Sequence, residues 1–448
     1  MNTEAVELTQ KYTAIVDMGM IWRLSMPATD EKSPNSDEKY KWGDYFNNIP
    51  SKILARHPHG KRIICVNDVY DSEYTTKDDE RIRREKGMGN IPNEFFKADE
   101  IFPAKAKFNK IMQKPQNKIR LQAAILKSVK QKARDSTVKF FYSTGQSCID
   151  LTSGMDIEFL QFDHAEADTI MPSIYHALRE RGSKEPMVFD TADTDLYVVG
   201  ANISHWYPEN LYIKRGASFV NCKSLVDQSM TEAIIPFHMI TGGDATSSFY
   251  GKGKGKLYEK VLKSTRAKEQ LEHLGEDDEL AEECLQELLS FTREVIYADK
   301  SSKSMAEARA KKWLSQKKKS FCRLPPDEDS LRQKLQRCNY MSYLARNPHL
   351  RSHPSPIGRG WEEVNGLCRP VRYKKPPLPD HIQLSDPQQE IEIEPDDSRE
   401  NDRNNVEIEN LNIENLYEIE SESESDTDNE NSDNEYDDVE SNSDEDFD

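Results

Sequence analysis

Two aspartates separated by a single residue constrain this 448-residue chain more than any other feature of its sequence. Asp193 and Asp195 follow the apolar run Met187–Phe189 and precede the apolar run Leu196–Val199, so both acids are predicted at the end of a buried strand. In open α/β sheets, ligands and metal ions collect at this end of the strands. Carboxylates about 4 Å apart repel each other by roughly 4 kcal/mol at an effective dielectric constant near 20, and a divalent cation such as Mg²⁺ or Mn²⁺ would relieve that repulsion. An isolated pair is also compatible with a solvated turn.

Short apolar segments alternate with helical segments through the first half of the chain. Strands are predicted at 12–17, 62–66 and 138–142, and residues 101–134 carry apolar residues at helical spacing. The alternation predicts an α/β fold with a mostly parallel, doubly wound sheet flanked by helices. From about Leu257 to Tyr343 the pattern becomes helical and highly charged. The proline-rich segment Pro354–Pro379 predicts an extended wrap over the body.

Acidic residues recur at the predicted strand ends and helix starts. The full set is Asp17, Asp68, Glu166, Asp168, Asp193, Asp195 and Asp244. One such acid carries little information, because aspartate is a common helix cap and turn residue. The carboxyl ends of parallel strands share one edge of a sheet, however, so these acids are predicted to converge on one crevice.

The order of these segments resembles the flap endonuclease branch of the PIN-like nuclease superfamily over about residues 12–265. In that family an acid follows the first strand, V-F-D follows the second, E-A-E opens a helix, T-x-D-x-D ends a strand, and G-x-D precedes a helix-hairpin-helix element. The matching segments here are Val16-Asp17, Val66-Asn67-Asp68, Glu166-Ala167-Asp168, Thr191-Ala192-Asp193-Thr194-Asp195 and Gly243-Asp244. Two departures concern the site: Asn67 stands in place of phenylalanine, and Glu166 and Asp168, at i and i+2, point apart on a regular helix.

Over about residues 12–380 the chain also resembles a group of eukaryotic proteins associated with mobile elements. Those proteins carry E-E-A-D-T, T-G-C-D-T-T-S-x-F-x-G-K-G-K and P-S-P-x-G-x-G-W motifs. The corresponding segments here are Ala165–Thr169, Thr241–Lys254 and Pro354–Trp361. Gly243 replaces the cysteine of the second motif, and Ala245 replaces its first threonine.

The resemblance implies a metal-dependent, structure-selective nuclease that hydrolyses phosphodiester bonds in DNA with two Mg²⁺ or Mn²⁺ ions. Asp17, Asp68, Glu166 and Asp193 would hold the more tightly bound ion. Asp168, Asp195 and Asp244 would complete the second site. A catalytically inactive nucleic-acid-binding scaffold of mobile-element origin and an RNA-cutting PIN enzyme remain as alternatives.

Two basic segments are candidates for contacting phosphate groups. Glycine and lysine alternate in Gly251, Lys252, Gly253 and Lys254, where glycine lets the backbone approach a phosphate and lysine adds charge. By resemblance, this segment is the hairpin that grips one duplex strand. The second candidate group, Lys77, Arg81 and Arg84, lies on one predicted helix face within a basic insertion at 77–135, the place of the family's helical arch. Ordinary solvated charge is the alternative for both segments.

Charge divides the chain into a basic body and an acidic tail. Of the 61 Lys and Arg and the 80 Asp and Glu, two and 27 fall between Asp386 and Asp448, which leaves 59 basic and 53 acidic residues before the tail. The tail is expected to be disordered and to solubilise the protein or bind a basic partner. The expected organisation is a nuclease core at 1–256, a helical extension and proline-rich wrap at 257–385, and the tail at 386–448.

The cysteines and the N-terminal sequence indicate where in the cell the protein is expected to act. The seven cysteines are scattered, with no C-x-x-C pair, so neither a disulfide framework nor a zinc site is expected. The polar N-terminus predicts no signal peptide, and no apolar run approaches the roughly 18 residues of a membrane span. These features favour a nuclear or cytoplasmic protein that is not secreted and does not act at a membrane.

Overall fold

The predicted alternation of strands and helices builds one eight-stranded mixed sheet, as seen in a computed structural model. The strands are β1 (Ala5–Val6), β2 (Tyr12–Asp17), β3 (Gly60–Val66), β4 (Lys139–Ser143), β5 (Cys148–Asp150), β6 (Met187–Asp190), β7 (Leu211–Arg215) and β8 (Ser218–Asn221). Their order is β1-β8-β7-β6-β2-β3-β4-β5. The five inner strands from β7 to β4 pair in parallel, and the outer pairs are antiparallel. The prediction of an α/β fold with a mostly parallel sheet is confirmed.

The structure describes residues 5–28, 39–70, 75, 76, 78, 91–316 and 320–374. The chain divides into two units: residues 1–319 with 323–377, and Ser320–Cys322 with 378–448. Every α-helix and β-strand described belongs to the first unit. The acidic tail and the predicted phosphate contacts Lys77, Arg81 and Arg84 lie outside the described residues.

Helices cover both faces of the sheet. In the first part of the chain they are α1 (Met18–Leu24), α2 (Trp42–Arg56), α3 (Lys105–Met112), α4 (Pro115–Arg134), α5 (Ala167–Glu180) and α6 (Thr194–Ile203). Alternate residues of β2 point to opposite faces: Val16 packs in the cluster that contains apolar residues of α2 and α4, and Ile15 packs with α5 and α6. The run Leu196–Val199 belongs to α6 rather than to a strand.

The charged C-terminal part is helical, as predicted. The apolar helix α7 (Ile234–Thr241) precedes this part, whose own helices are α8 (Lys254–Leu262), α9 (Thr265–Glu272), α10 (Glu282–Phe291), α11 (Met305–Ser315) and α12 (Glu328–Arg346). A single apolar cluster joins residues from all six of these helices, so elements on both sides of residue 256 share one core. The segment predicted as an extended wrap contains a hairpin, β9 (Trp361–Val364) and β10 (Leu367–Pro370), and buried Trp361 packs edge-on against Tyr340 of α12.

Two further findings concern the cysteines and the apolar character of the helices. All seven cysteines are free thiols. Among the helices in the described part of the chain, none has the length and apolar character needed to cross a bilayer.

The contact of the α9–α10 connection with α12 gives a stability prediction. Gly275 has φ +84°, and a Cβ there would lie 2.5 Å from Ser342 Cβ. We expect Gly275→Ala to lower the free energy of unfolding by at least about 3 kcal/mol, because left-handed strain adds to overpacking. Gly182→Ala is the control, since Gly182 has φ +78° but open space around its Cβ, and it should cost only about 1–2 kcal/mol. Urea denaturation of both variants measures the difference, and equal losses would contradict the packing argument.

Candidate functional site

Three of the predicted site acids follow adjacent strands at the same edge of the sheet. Asp17 is the last residue of β2, the strand that pairs with both β3 and β6. Asp68 follows β3 by two residues, and Asp193 follows β6 by three. Because these strands are parallel, their carboxyl ends lie side by side, which places Asp17, Asp68 and Asp193 at the same edge of the sheet.

Three helices also begin at this edge, each directly preceded by an acid. Asp17 caps α1 by accepting from the Gly19 N–H at 2.8 Å, and Asp193 caps α6 by accepting from the Asp195 N–H at 2.9 Å. Glu166 is the residue before α5 and has an extended backbone, with φ −127° and ψ 141°. The positive ends of these helix dipoles face the acids and partly stabilise their negative charge.

Glu166 and Asp168 have different backbone conformations in the E-A-D segment. A regular helix would direct Glu166 and Asp168 apart, but only Asp168 lies within the first turn of α5. One carboxylate oxygen of each residue, Glu166 Oε1 and Asp168 Oδ1, is buried. Pro172, in the second turn of α5, does not end the helix, which continues to Glu180.

Hydrogen bonds tie the separate segments together. The Thr191 hydroxyl lies 3.3 Å from Asp17 Oδ2 and also accepts from the Asp193 N–H at 3.0 Å, so it links the ends of β2 and β6. Asp68 Oδ1 accepts from the Ala167 N–H at 2.9 Å, which holds the start of α5 against the end of β3. Thr191 was within the motif that the sequence singled out, but it was not predicted as a site residue.

The acids influence one another electrostatically. Burial, together with the charge of Asp68, raises the pKa of Asp17 to about 6. Burial and the charges of Asp168, Asp195 and Asp244 raise the pKa of Asp193 to about 7. Six of the predicted acids therefore interact in two sets, with Asp17 and Asp68 on one side and Asp193, Asp168, Asp195 and Asp244 on the other. The seventh, Glu166, precedes α5, whose first N–H donates to Asp68.

A histidine and a lysine join the second side of this acid cluster. His238 Nε2 lies 2.8 Å from Asp195 Oδ1, and Lys254 Nζ lies 3.0 Å from His238 Nδ1 and 2.6 Å from the Gly242 carbonyl oxygen. Lys254 was predicted to contact phosphate, and His238 was not predicted as a site residue. The signal for His238 was its position as the one ionisable residue in the apolar run Ile234–Ile240.

The donor chemistry suits a hard divalent cation, since the groups are carboxylate oxygens with mutual repulsion. The side chains, however, are not positioned to bind one ion together. Among the described residues, which include all seven acids, no three His, Cys, Asp or Glu side chains lie close enough together to hold one metal ion. Full coordination by protein groups would therefore require side-chain rotation.

The glycine-lysine segment lies in the connection between α7 and α8. Gly251 and Gly253 are exposed, and no atom lies within 4 Å of a Cβ built on either. Lys252 Nζ lies over the ring of Tyr297, 4.6 Å from its centroid. The glycines therefore leave backbone accessible to a ligand, whereas Lys252 and Lys254 both make contacts within the protein.

The basic helix α4 reaches the acid cluster. Gln122 donates to the Asp68 carbonyl oxygen at 2.9 Å, and Lys118 Nζ lies over the ring of Tyr70, whose hydroxyl donates to Asp68 Oδ2 at 3.0 Å. Further along the same helix, several basic side chains are exposed: Lys127, Lys130, Lys132 and Arg134. Helix α4 thus combines one lysine near Asp68 with a separate run of exposed basic side chains towards its C-terminal end.

Compared with known proteins, the chain matches no family model and has no significant similarity to a curated protein.

Proposed function

We propose that the chain is a divalent-metal-dependent, structure-selective nuclease with a PIN-like fold that hydrolyses phosphodiester bonds in DNA. The observation that carries the proposal is the position of Asp17, Asp68 and Asp193 after adjacent parallel strands at one edge of the sheet. The start of α5 bonds to Asp68 there, and the charges of Asp168, Asp195 and Asp244 act on Asp193. Asp17, Asp68, Glu166 and Asp193 would hold one Mg²⁺ or Mn²⁺ ion. Asp168, Asp195 and Asp244 would serve a second. When bound, such ions activate water and stabilise the charge that develops on the phosphate.

The surroundings of the acids support a nucleic-acid substrate. Helix α4 places Lys118 near Asp68 and exposes further basic side chains along its length, and the exposed glycines of the α7–α8 connection leave room for a phosphate backbone. In this proposal the α7–α8 region acts as the helix-hairpin-helix element that holds duplex DNA, while Lys77, Arg81 and Arg84 contact single strands. We place its action in the nucleus or cytoplasm.

A cleavage assay tests the proposal. Wild-type protein with Mn²⁺ should cut branched or flapped DNA, and EDTA should abolish cutting. The double variant Asp193→Ala/Asp195→Ala should lose at least about 99% of the rate, because catalytic groups at metal sites commonly contribute 100-fold or more. Asp227→Ala is the matched control, since Asp227 also caps a helical turn, through Ser229 N–H, but does not belong to the acid cluster. Equal cleavage by wild type and the double variant would reject this site.

A catalytically inactive nucleic-acid-binding scaffold is the second candidate. It is favoured by the intramolecular hydrogen bonds that Asp17, Asp68, Asp193 and Asp195 already accept, and by the lack of a three-ligand group in the described part of the chain. Calorimetric titration with Mn²⁺ separates the candidates, because a scaffold should bind DNA without binding the metal. RNA and DNA versions of each substrate distinguish a DNA nuclease from an RNA-cutting enzyme.

The acidic tail should compete with DNA for the basic surface. Deleting residues 386–448 removes 27 acids and two arginines, so we expect DNA affinity to rise roughly tenfold at low salt. The gain should shrink near 0.15 M salt, where exposed charges are screened beyond about 8 Å. Fluorescence anisotropy with labelled DNA at several salt concentrations measures it. Unchanged affinity at every salt concentration would favour a role for the tail in binding a basic protein partner.

A further inference from the structure

A small cavity lies at the C-terminal end of α5, far from the acids at the start of that helix. Its volume is about 190 Å³, and we call it the α5 pocket. The side chains that give it its charge and shape come from α5, from the segment before α5 and from the segment after α12: His176, Arg181, Phe159, Phe162, His349 and Arg351. The 14 residues of α5, at a rise of about 1.5 Å each, separate the α5 pocket from the acid cluster by about 20 Å.

Two arginines in the α5 pocket are held in place before any ligand binds. Arg181 Cζ lies 4.0 Å from the ring centroid of Phe159, and Arg351 Cζ lies 4.8 Å from that of Phe162, so each guanidinium packs on an aromatic ring. Arg351 Nη1 also donates to the carbonyl oxygens of Phe159 at 3.0 Å and Gln161 at 2.8 Å. Because both arginines are already oriented, a ligand that bonds to them loses little additional side-chain entropy.

These two arginines have no carboxylate partner in the described part of the chain. Arg181 packs on the Phe159 ring, and the hydrogen-bond acceptors of Arg351 are neutral carbonyl oxygens. Glu180 also lines the α5 pocket, but its Oε1 already accepts from the Tyr207 hydroxyl at 2.7 Å. Like charges that line one cavity repel each other, and an anion between the two guanidinium groups would relieve this repulsion.

Two histidines complete the wall of the α5 pocket. The Tyr207 hydroxyl donates to Glu180, so it accepts from His176 Nδ1 at 2.6 Å. His176 Nε2 makes no hydrogen bond to a described residue, and the exposed ring of His349 lies 6.1 Å away, centroid to centroid. An anion in the α5 pocket would favour protonation of either imidazole, which would then donate to it.

The size and charge of the α5 pocket define its ligand. Pockets that enclose whole small molecules usually measure about 300–1,000 Å³, so a cavity of about 190 Å³ takes one chemical group and leaves the remainder of the molecule outside. The fork of N–H donors on each arginine fits the oxygens of a phosphate or a carboxylate. Two guanidinium groups and two imidazoles favour a phosphate monoester, which carries close to two negative charges, over a singly charged carboxylate.

We propose that the α5 pocket binds the terminal phosphate of a larger molecule, with Arg181 and Arg351 as the principal contacts and His176 and His349 as additional donors. A nucleotide and the phosphorylated end of a nucleic-acid strand share this chemistry. The site is separate from the acid cluster, and phosphate binding there does not depend on the proposed nuclease activity.

Titrations of the full-length protein in EDTA test the inference, since EDTA removes metal ions that bridge phosphate to acids. The probes are inorganic phosphate, adenosine monophosphate and a single-stranded oligonucleotide with either a phosphate or a hydroxyl at its 5′ end. Wild type should bind phosphate-bearing probes, and Arg181→Met should bind them at least about tenfold more weakly, because a charge-assisted contact is lost. A preference for the phosphorylated oligonucleotide over its hydroxyl form and over adenosine monophosphate identifies a strand end as the ligand. Equal affinity for adenosine monophosphate and the phosphorylated oligonucleotide identifies a nucleotide.

A control variant and a site-resolved measurement locate the binding. Arg134→Met removes an exposed arginine at the C-terminal end of α4 and should leave every affinity nearly unchanged. In nuclear magnetic resonance spectra of wild type, inorganic phosphate should shift the imidazole signals of His176 and His349 but not those of His273, which pairs with Glu276 on the surface. Circular dichroism checks that Arg181→Met is folded.

Three results would overturn the inference. They are no binding of any phosphate-bearing probe to wild type, equal losses of affinity in Arg181→Met and Arg134→Met, and unshifted imidazole signals of His176 and His349. Each of them would leave the proposed nuclease function standing, because that function is tested by cleavage in the presence of Mn²⁺.

Discussion

Replacing Asp190 by asparagine is expected to lower the free energy of unfolding by about 3–5 kcal/mol, the usual cost of removing one partner from a buried ion pair. Asp190 is fully buried at the end of β6. Its carboxylate accepts from Arg56 Nε at 2.8 Å and Nη2 at 2.5 Å, and from His57 Nε2 at 2.9 Å. On its other nitrogen, His57 contacts the Tyr12 hydroxyl at 3.2 Å. The network joins β2, β6 and the end of α2, so its loss affects the centre of the sheet.

The difference in free energy of unfolding between wild type and Asp190→Asn should also depend on pH. Burial raises the pKa of Asp190, but the hydrogen bonds from Arg56 and His57 outweigh burial and lower it to about 2. The carboxylate is therefore more acidic in the folded state than in the unfolded chain, where its pKa is about 3.9. Its contribution to stability is complete above about pH 4 and is lost as the pH falls toward 2.

Denaturant titrations of wild type and Asp190→Asn at several pH values measure both effects. The stability difference should be largest above about pH 4 and should shrink between about pH 4 and 2. Glu100→Gln is the control, because Glu100 pairs with Lys97 at 3.0 Å on the surface and its loss should leave stability nearly unchanged. A difference that stays constant down to pH 2 would show that Asp190 acts through packing rather than charge.

Replacing Asp193 by asparagine should have opposite effects on activity and stability. If the proposed function is correct, cleavage should fall at least about 100-fold, because a carboxylate at the acid cluster is lost. The metal-free protein should become more stable by about 1–2 kcal/mol near pH 8. A pKa raised by about three units would correspond to roughly 4 kcal/mol, and solvent around this partly exposed side chain reduces that value.

The expected gain in stability of Asp193→Asn follows from the direction in which folding shifts the pKa of Asp193. Since the pKa of Asp193 rises to about 7 on folding, the ionised carboxylate costs stability above about pH 4, and the cost grows until about pH 7. Asparagine carries no charge, yet it can still cap α6 toward the Asp195 N–H. The gain should therefore vanish below about pH 4. Thermal melts in EDTA at pH 4 and pH 8 measure it, with Asp227→Asn as a control cap that should give no gain. A less stable variant at pH 8 would contradict the repulsion argument.

Much of the fold was predictable because its central elements have strong local patterns. The strands around Ile15, Ile64 and Phe189 are short apolar runs that end close to an acid, and parallel pairing then brings their ends together. Helix α4 was predictable from Leu121, Ile125 and Val129, which are all buried. The hairpin at Trp361–Pro370 was not predicted, because its strands have only four residues each and its burial depends on α12.

The sequence by itself determined that Asp17, Asp68 and Asp193 lie at one edge of the sheet. The strands before them are recognisable from the local apolar pattern, and parallel pairing puts the ends of such strands at the same edge. Only the tertiary structure decided which neighbours these groups have. Asp195 bonds to His238, 43 positions later in the chain, and Asp190 bonds to Arg56, 134 positions earlier. Such contacts depend on how whole helices pack against one another, and no short sequence pattern encodes that packing.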